Sequence, residues 1–460
     1  MENNKNCYSR RKFLETAAFS GAVGTLGVGT VISSCGRKKS NKELGLPHML
    51  SHAPDGRKLK AGLIGAGHRG TGAAFHFLEA GPNLEVTALA DVFQERIDTC
   101  RERFKKYEIE IPEENCFVGF DSYKKLMETD VDVVILATPP HFRPDHFKAA
   151  IRSKKHVFME KPVAVDPVGI RSILSTAKRA ESLGLCVITG TQRRHQQDYI
   201  ETYKQIANGA IGEIVAAKAY WNQSHVWLRT REKDWSDMEY MLRNWNNFIW
   251  LSGDHILDTH MHNIDVINWF TGKHPSSAIG YGGRHRRVTG DQYDFFSIDF
   301  DYGNGLSSHS MCRQIDDCAD GVGEVVVGTK GYSICTHNAN KIYNFNGSVI
   351  WEYEYTKENE DDPLKQEANS AYIQEHIHLV TASISLSSSN FRKSLYNLGF
   401  IPVCFSICAA LPFSIVVSTS HRAAHSTFGW ERNCLIFAKP WFLIPIAPIT
   451  SLSFLSEQLT

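Results

Sequence analysis

The sequence carries no excess charge of either sign: Lys and Arg total 50, Asp and Glu total 50, over 460 residues. A nucleic-acid surface needs a clear positive bias, so no nucleic-acid partner is expected. Paired CxxC cysteines are missing too. The 11 cysteines are scattered singly, which excludes a zinc knuckle; most are expected to be buried small apolar residues. Cys312 and Cys318 are close enough in sequence to pair, which spacing alone leaves open. A convincing membrane span is also absent. The Gly- and Ala-rich stretch Ala17–Ile32 is too short, and Leu398–Ser418, although uncharged, contains Pro402 and Pro412 and lacks clear flanks.

What is present begins with an address. Ser9-Arg10-Arg11-Lys12-Phe13-Leu14 resembles a twin-arginine export signal, and Ile32-Ser33-Ser34-Cys35 resembles a bacterial lipobox. Residues 1–35 are therefore expected to be a signal, with lipid on Cys35 tethering the chain to a membrane it does not span. Residues 36–58, polar and basic, suit a linker. The expected location is periplasmic or membrane-anchored.

The chain beyond is organised around Leu59–Gly72. An apolar run, Ala61-Gly62-Leu63-Ile64, stops at Gly65-Ala66-Gly67-His68-Arg69-Gly70, and a helix-like stretch follows. Strand, glycine turn and helix start are the parts of a dinucleotide cradle. Gly65 allows the turn, Gly67 lets backbone approach a pyrophosphate, and Gly70 lets helix and strand pack. His68 and Arg69 lie within the turn. A second strand-like run, Asn83–Ala90, ends at Asp91, 21 residues past Gly70, where a carboxylate can accept from adenosine ribose hydroxyls. An acid there favours NAD over NADP.

Strand and helix patterns then alternate, which predicts a parallel sheet with helices on both faces. Val131–Ala137 reads as a strand buried on both sides, ending at Thr138-Pro139-Pro140-His141 on the cofactor side. His156–Met159 is a short strand running into Glu160-Lys161-Pro162, with a cis bond before Pro162 as an option. A lysine just past a strand end sits at the cofactor crevice, where its ammonium can hold a developing alkoxide. Residues 191–382 change character: strand-like runs at Glu213–Tyr220, Ser277–Gly283, Phe295–Tyr302, Leu306–Met311, Gly323–Gly328 and Val349–Tyr355 predict an open, mainly antiparallel sheet.

A glycine-rich strand–helix unit followed by a strand ending in Glu160-Lys161-Pro162 resembles the glucose–fructose oxidoreductase / inositol dehydrogenase / rhizopine-catabolism (Gfo/Idh/MocA) family, over about Leu59–Ala382. The resemblance implies a Rossmann domain, here 59–190, and an α+β substrate and oligomerisation domain, 191–382. It implies a sugar or cyclitol substrate and a nicotinamide cofactor; export as a folded protein implies that the NAD stays tightly bound, and the open sheet face suggests a homo-oligomer. The family carries Asp-x-x-x-His, matched by Asp258 and His262. On one helix that spacing shares a face, so Asp258 would orient His262 as the base taking the hydroxyl proton while Lys161 steadies the charge. The same stretch, with His255, His260, Asp254 and Asp265, leaves a metal cluster or a core helix open; no metal is the reading adopted. Cofactor contacts are expected from Gly65, Gly67, His68, Arg69, Gly70, Asp91, Thr138, Pro139, His141, Glu160 and Lys161. Arg194, Tyr220, Trp245 and His262 are expected to meet substrate. NAD-dependent glycoside hydrolases of the family offer a second activity, although they depart from the Glu-Lys-Pro form kept here. Two features depart from the family: Arg143 stands where relatives often have histidine, and Ser383–Thr460 has almost no acidic residues. That tail reads as foreign to the fold, as from a shifted reading frame, and is expected to be poorly ordered.

Overall fold

The computed structural model describes residues 38–336, 339–355 and 367–386. The expected signal and nearly all of the atypical tail lie outside the described residues. Strands β1 (Leu59–Ile64), β2 (Leu84–Asp91), β3 (Cys116–Val118), β4 (Val133–Leu136), β5 (His156–Met159) and β6 (Val187–Thr189) form one sheet in the order 3-2-1-4-5-6. Every pairing in it is parallel. Helices α1 (His68–Glu79), α2 (Gln94–Lys105), α3 (Ser122–Met127), α4 (Arg143–Arg152) and α5 (Pro167–Ser182) connect successive strands. All four residues of β4 are buried, as a strand covered on both faces requires. At α5, Asp166 accepts from the Gly169 N–H at 2.7 Å and Pro167 occupies the first turn, so the start is set locally.

The second half has α6 (Gln197–Ala207), β7 (Ile214–Gln223), α7 (Asp237–Arg243), α8 (Ile249–Ser252), α9 (Asp254–Asp258) and α10 (Met261–Thr271). Strands β8 (Ser277–Gly283), β9 (Phe295–Asp301), β10 (Ser307–Gln314), β11 (Gly321–Gly328), β12 (Gly331–Thr336), β13 (Ala339–Asn344) and β14 (Val349–Glu352) follow. They join β7 in a sheet ordered 14-13-12-11-7-10-9-8. Only the β7–β10 pairing in it is parallel among the described residues. Ala217 and Ala219 of β7, with Phe296, Ile298 and Phe300 of β9, meet Ile264, Ile267 and Phe270 of α10 in one core. The opposite sheet face leaves Ile279 and Tyr281 exposed. The expected Rossmann-like sheet and open antiparallel sheet are thus both present.

Two boundaries differ from expectation. The stretch 36–58 is not a free tether over its described part: Leu46 is buried in the second core and Ala53 in the first. The last helix, α11 (Glu367–Leu386), was expected to belong to the second domain up to residue 382. Ile377, Leu379, Val380 and Ala382 instead pack with Phe77 and Phe158 in the first. Apolar side chains dictate this, since each buried one contributes roughly 1.5–3 kcal/mol.

Candidate functional site

The carboxyl ends of β1, β2, β4 and β5 open onto one crevice, at the point where strand order reverses between β1 and β4. Three glycines shape its floor for different reasons. Gly65 has φ 96°, and a Cβ there would lie 2.7 Å from the Ala137 carbonyl carbon. A Cβ on Gly70 would lie 1.8 Å from the Gly65 oxygen, so helix and strand pack only without it. Gly67 is unlike both. Its φ is −70°, open to any residue, and the nearest atom to a Cβ there is Arg96 Nη1 at 3.9 Å. The protein's own packing does not require glycine at 67, and its backbone faces open space that a ligand could approach.

This separates two substitutions. Gly70→Ala is expected to cost about 3 kcal/mol of stability by overpacking. Gly67→Ala should leave stability within about 1 kcal/mol but weaken nucleotide binding by at least about tenfold. Thermal melts of nucleotide-free protein and nucleotide titrations check the two effects separately.

Above the floor lies a cavity of 570 Å³, lined by Gly65, Gly67, His68, Arg69, Gly70, Asp91, Thr138, Pro139 and Trp245 among the residues expected from the sequence. Phe93, Arg96, Phe142, His146, Trp227 and Arg229 line it as well. Asp91 is the most constrained of these. Its carboxylate accepts from the Ala66 N–H at 2.7 Å and the Phe93 N–H at 3.0 Å, bracing the glycine turn. Burial raises its pKa, and those N–H groups pull it back down.

Besides His262, five expected contacts lie elsewhere than on the cavity wall, one of them Lys161, which is turned to Asp258. His141 is exposed and packs edge-on against Trp250, with ring centroids 5.0 Å apart; the next residue, Phe142, takes its place on the cavity wall. Glu160 is buried and pairs with Arg69 at 2.5 Å, so it anchors the turn rather than lining the cavity. Arg194 makes two contacts of 2.7 and 2.8 Å to Asp265, both residues being buried beside the Trp269 ring. That guanidinium is committed to the core. Tyr220 lies on the opposite face of β7 from Ala219 and Trp221, beside Lys218. Side chains alternate along a strand, so Trp221 is the ring that meets His262, with centroids 6.1 Å apart.

Of the catalytic candidates, Lys161 and Asp258 are in contact, and the Lys161 charge acts on His262. Lys161 donates to the backbone carbonyl of Asp258, and its Nζ is 3.6 Å from Asp258 Oδ1. The Lys161–Pro162 bond is cis. His262 is buried, and its pKa falls well below the ordinary value, through burial first and then the Lys161 charge, the strongest acting on it. The imidazole is therefore neutral and can accept a hydrogen bond from a hydroxyl, and the same shift makes it a weaker base than a free histidine. The expected single helix, however, is broken. Asp258 ends α9 and His262 stands in the first turn of α10, with Thr259 at φ −116°, ψ −59° between them. Asp258 consequently serves Lys161, and the role of orienting His262 is withdrawn from it. His260, fully buried, shares a hydrogen bond with Ser310 Oγ at 2.7 Å. Among the described residues, His, Cys, Asp and Glu form no group able to hold a metal ion.

Two arginines support this arrangement. Arg143, buried on α4, donates to the Pro162 carbonyl and, at 2.6 Å, to the Thr138 carbonyl, tying together the loops after β4 and β5. Arg193 pairs with buried Glu324, which also accepts from Tyr199 Oη at 3.0 Å, and its guanidinium lies 5.5 Å from the Trp221 ring centre. The alternation of β7 is the signal that distinguishes Trp221 from Tyr220. Nothing in the sequence distinguishes Arg193 from Arg194, because they share a single 3₁₀ turn, Gln192–His195.

Fold and site together define a two-domain α/β protein with a dinucleotide crevice. Comparison with known proteins agrees. Residues 59–191 match the model described as the oxidoreductase family with NAD-binding Rossmann fold, and residues 199–333 match the GFO/IDH/MocA C-terminal domain. The chain belongs to this oxidoreductase family. It is 31% identical over 161 residues to an inositol 2-dehydrogenase of Acidothermus cellulolyticus, covering 35% of this chain and 44% of that protein. It is 25% identical over 244 residues to a glycosyl hydrolase family 109 protein of Shewanella pealeana, covering 52% of each. The chain thus spans about half the length of the curated relatives it matches. In fold it is similar to the aldose–aldose oxidoreductase of Caulobacter crescentus, with TM-score 0.56 and 18% identity over 77% of this chain and 97% of that one.

Proposed function

We propose that this protein oxidises a hydroxyl-bearing carbon of a sugar or cyclitol, using NAD held in the crevice. The observation that carries the reading is a glycine turn at the strand ends that leaves the Gly67 backbone open, with Lys161, just past β5, held at Asp258 and its charge acting on buried His262. Bound nicotinamide supplies the hydride acceptor. His262 takes the hydroxyl proton, Lys161 steadies the negative charge on that oxygen, and Asp258 fixes Lys161. Trp221 offers a ring face to the apolar side of a sugar. The relatives named as inositol dehydrogenases support this substrate class.

We further propose export through the twin-arginine signal, a lipid at Cys35 and a homo-oligomer built on the exposed sheet face around Ile279 and Tyr281. Outside the cytoplasm free NAD is scarce, so the nucleotide must stay bound and be restored in each cycle. The family 109 relatives favour a second reading that meets this demand. In it, oxidation of a glycoside makes a ketone, the acidified neighbouring C–H loses its proton as the glycosidic bond breaks by elimination, water adds to the double bond so formed, and the hydride returns to the ketone. One experiment separates the two. Protein is purified, its nucleotide released with acid and identified, and sugars and glycosides are offered. Stoichiometric nicotinamide reduction supports the dehydrogenase; sugar release without net reduction supports the hydrolase; absence of both effects defeats both readings.

A further inference from the structure

Positive charge gathers over the glycine turn beyond what the protein itself neutralises. Arg96, on α2, holds Nη1 3.9 Å from the point where a side chain on Gly67 would begin. Arg229 comes from the other domain. It lines the 570 Å³ cavity with Arg96, and also an adjoining cavity of 400 Å³ that reaches His68 and Thr71. Among the described residues neither Arg96 nor Arg229 has a carboxylate at ion-pair distance. Asp91 and Glu95 act on Arg96 only from further away. Arg243 nearby is different: it pairs with Glu95 at 2.5 Å and Glu239 at 2.9 Å and stacks on Phe93 at 4.0 Å. Burial disfavours the Arg96 charge, and the Arg229 charge is the next strongest influence against it.

Two like charges lining the same open space stay there only if something holds them. The holding device is a strap. The backbone of Arg229 is gripped on both sides by the fully buried Asn244, which accepts from its N–H at 2.7 Å and donates to its carbonyl at 3.2 Å. Asn246 and Asn247 donate to the Trp227 carbonyl at 3.4 and 3.5 Å. Residues 227–229 are thus pinned across the crevice by their own domain. A guanidinium pair of this kind, over an open glycine backbone, is matched by a phosphate oxyanion.

We infer that Arg96 and Arg229 form a clamp, one jaw from each domain, that closes on a phosphate of the bound dinucleotide above Gly67. The inference rests on the nucleotide reading given above and adds to it a cause for retention. The nucleotide leaves only when the strap gives way or the jaws part. The phosphate is either in the diphosphate, present in NAD and NADP alike, or the 2′-phosphate of NADP alone.

The test uses full-chain protein stripped of nucleotide, titrated with NAD and with NADP, and release rates measured by displacement. Arg96→Gln and Arg229→Gln are expected to speed release about ten- to hundredfold, with Arg229→Lys in between. Arg231→Gln is the control. It removes the same charge from the same segment, but Arg231 pairs with Asp237 and lies outside both cavities. Equal losses for NAD and NADP support the clamp on the diphosphate, and a loss confined to NADP supports it on the 2′-phosphate. Release unchanged in Arg229→Gln, or changed equally in Arg231→Gln, overturns it. Thermal melts of the stripped variants show that the fold is intact. A parent chain that binds neither nucleotide defeats the nucleotide reading itself, before any substitution is compared.

Discussion

Replacing Lys161 with alanine should lower turnover about a hundred- to thousandfold while leaving nucleotide bound. The size follows from what one preorganised charge contributes where an oxyanion develops in a water-poor site. The retention follows from geometry. Lys161 stands over Asp258, whereas the 570 Å³ cavity is lined by other residues. A second consequence tests the link to His262. Oxidation needs a neutral imidazole, and the folded pKa of His262 lies well below its ordinary value through burial and then Lys161. In the parent, His262 therefore remains competent as pH falls below about 6.5. In Lys161→Met the burial stays and the repelling charge goes, so the acid limb of the residual activity should move to higher pH. Turnover within threefold of the parent would remove the lysine from the chemistry, and an unmoved acid limb would uncouple it from His262.

Acid should unfold the protein well above the pH at which carboxylates usually protonate. Burial lowers the pKa of His76, His146, His156 and His378 to about 4 and of His260 to about 3. In the unfolded chain the same groups titrate near 6.5. Between those values the unfolded state binds more protons, so stability is complete above about pH 6.5 and falls as pH drops. Each histidine costs about 1.4 kcal/mol per pH unit in that window. Buried carboxyls oppose this. Asp254 and Glu324, raised by burial to about 7, keep protons that the unfolded chain gives up, and gain stability over the same descent. Burial also raises Glu375, well above its ordinary value, and Asp91. That makes four against the five histidines, and His195, His255, His262 and His376 are also lowered well below 6.5. The net loss by pH 5 is several kcal/mol, a large part of what a domain has. The melting temperature should fall by more than about 10 °C between pH 7 and pH 5. A flat melting profile over that range would contradict the burial of these rings.

The first domain was the more legible half, and the reason is local. Glycine at 65, 67 and 70, an acid at 91 and a strand ending in Glu160-Lys161-Pro162 each work through backbone a few residues away. His156–Met159 and Ser277–Gly283 were placed to the residue, because turn-forming residues bound a clear apolar or alternating run. What escaped depends on distant partners. Strands β12 and β13 were not foreseen; Gly331–Thr336 and Ala339–Asn344 are short and gain their stability from each other and from β11. Asp258 and His262 sit at helical spacing, yet α9 stops between them, and only the ammonium arriving from β5 shows which partner the carboxylate serves. Arg194 has the chemistry of a substrate contact, and Asp265, 71 residues on, takes it away. Arg229 gave no signal at all, since its meaning lies in Arg96 of the other domain.

Helix α11 carries a consequence for how the chain comes to be folded. Its apolar face supplies Ile377, Leu379 and Val380 to a layer whose other members, Phe77 and Phe158, are made some 220 to 300 residues earlier. During synthesis the nucleotide-binding half must therefore wait, with one flank uncovered, until all of the second sheet has emerged. A fragment cut between the two sheets would inherit that bare flank permanently, and would aggregate where the whole chain stays dissolved.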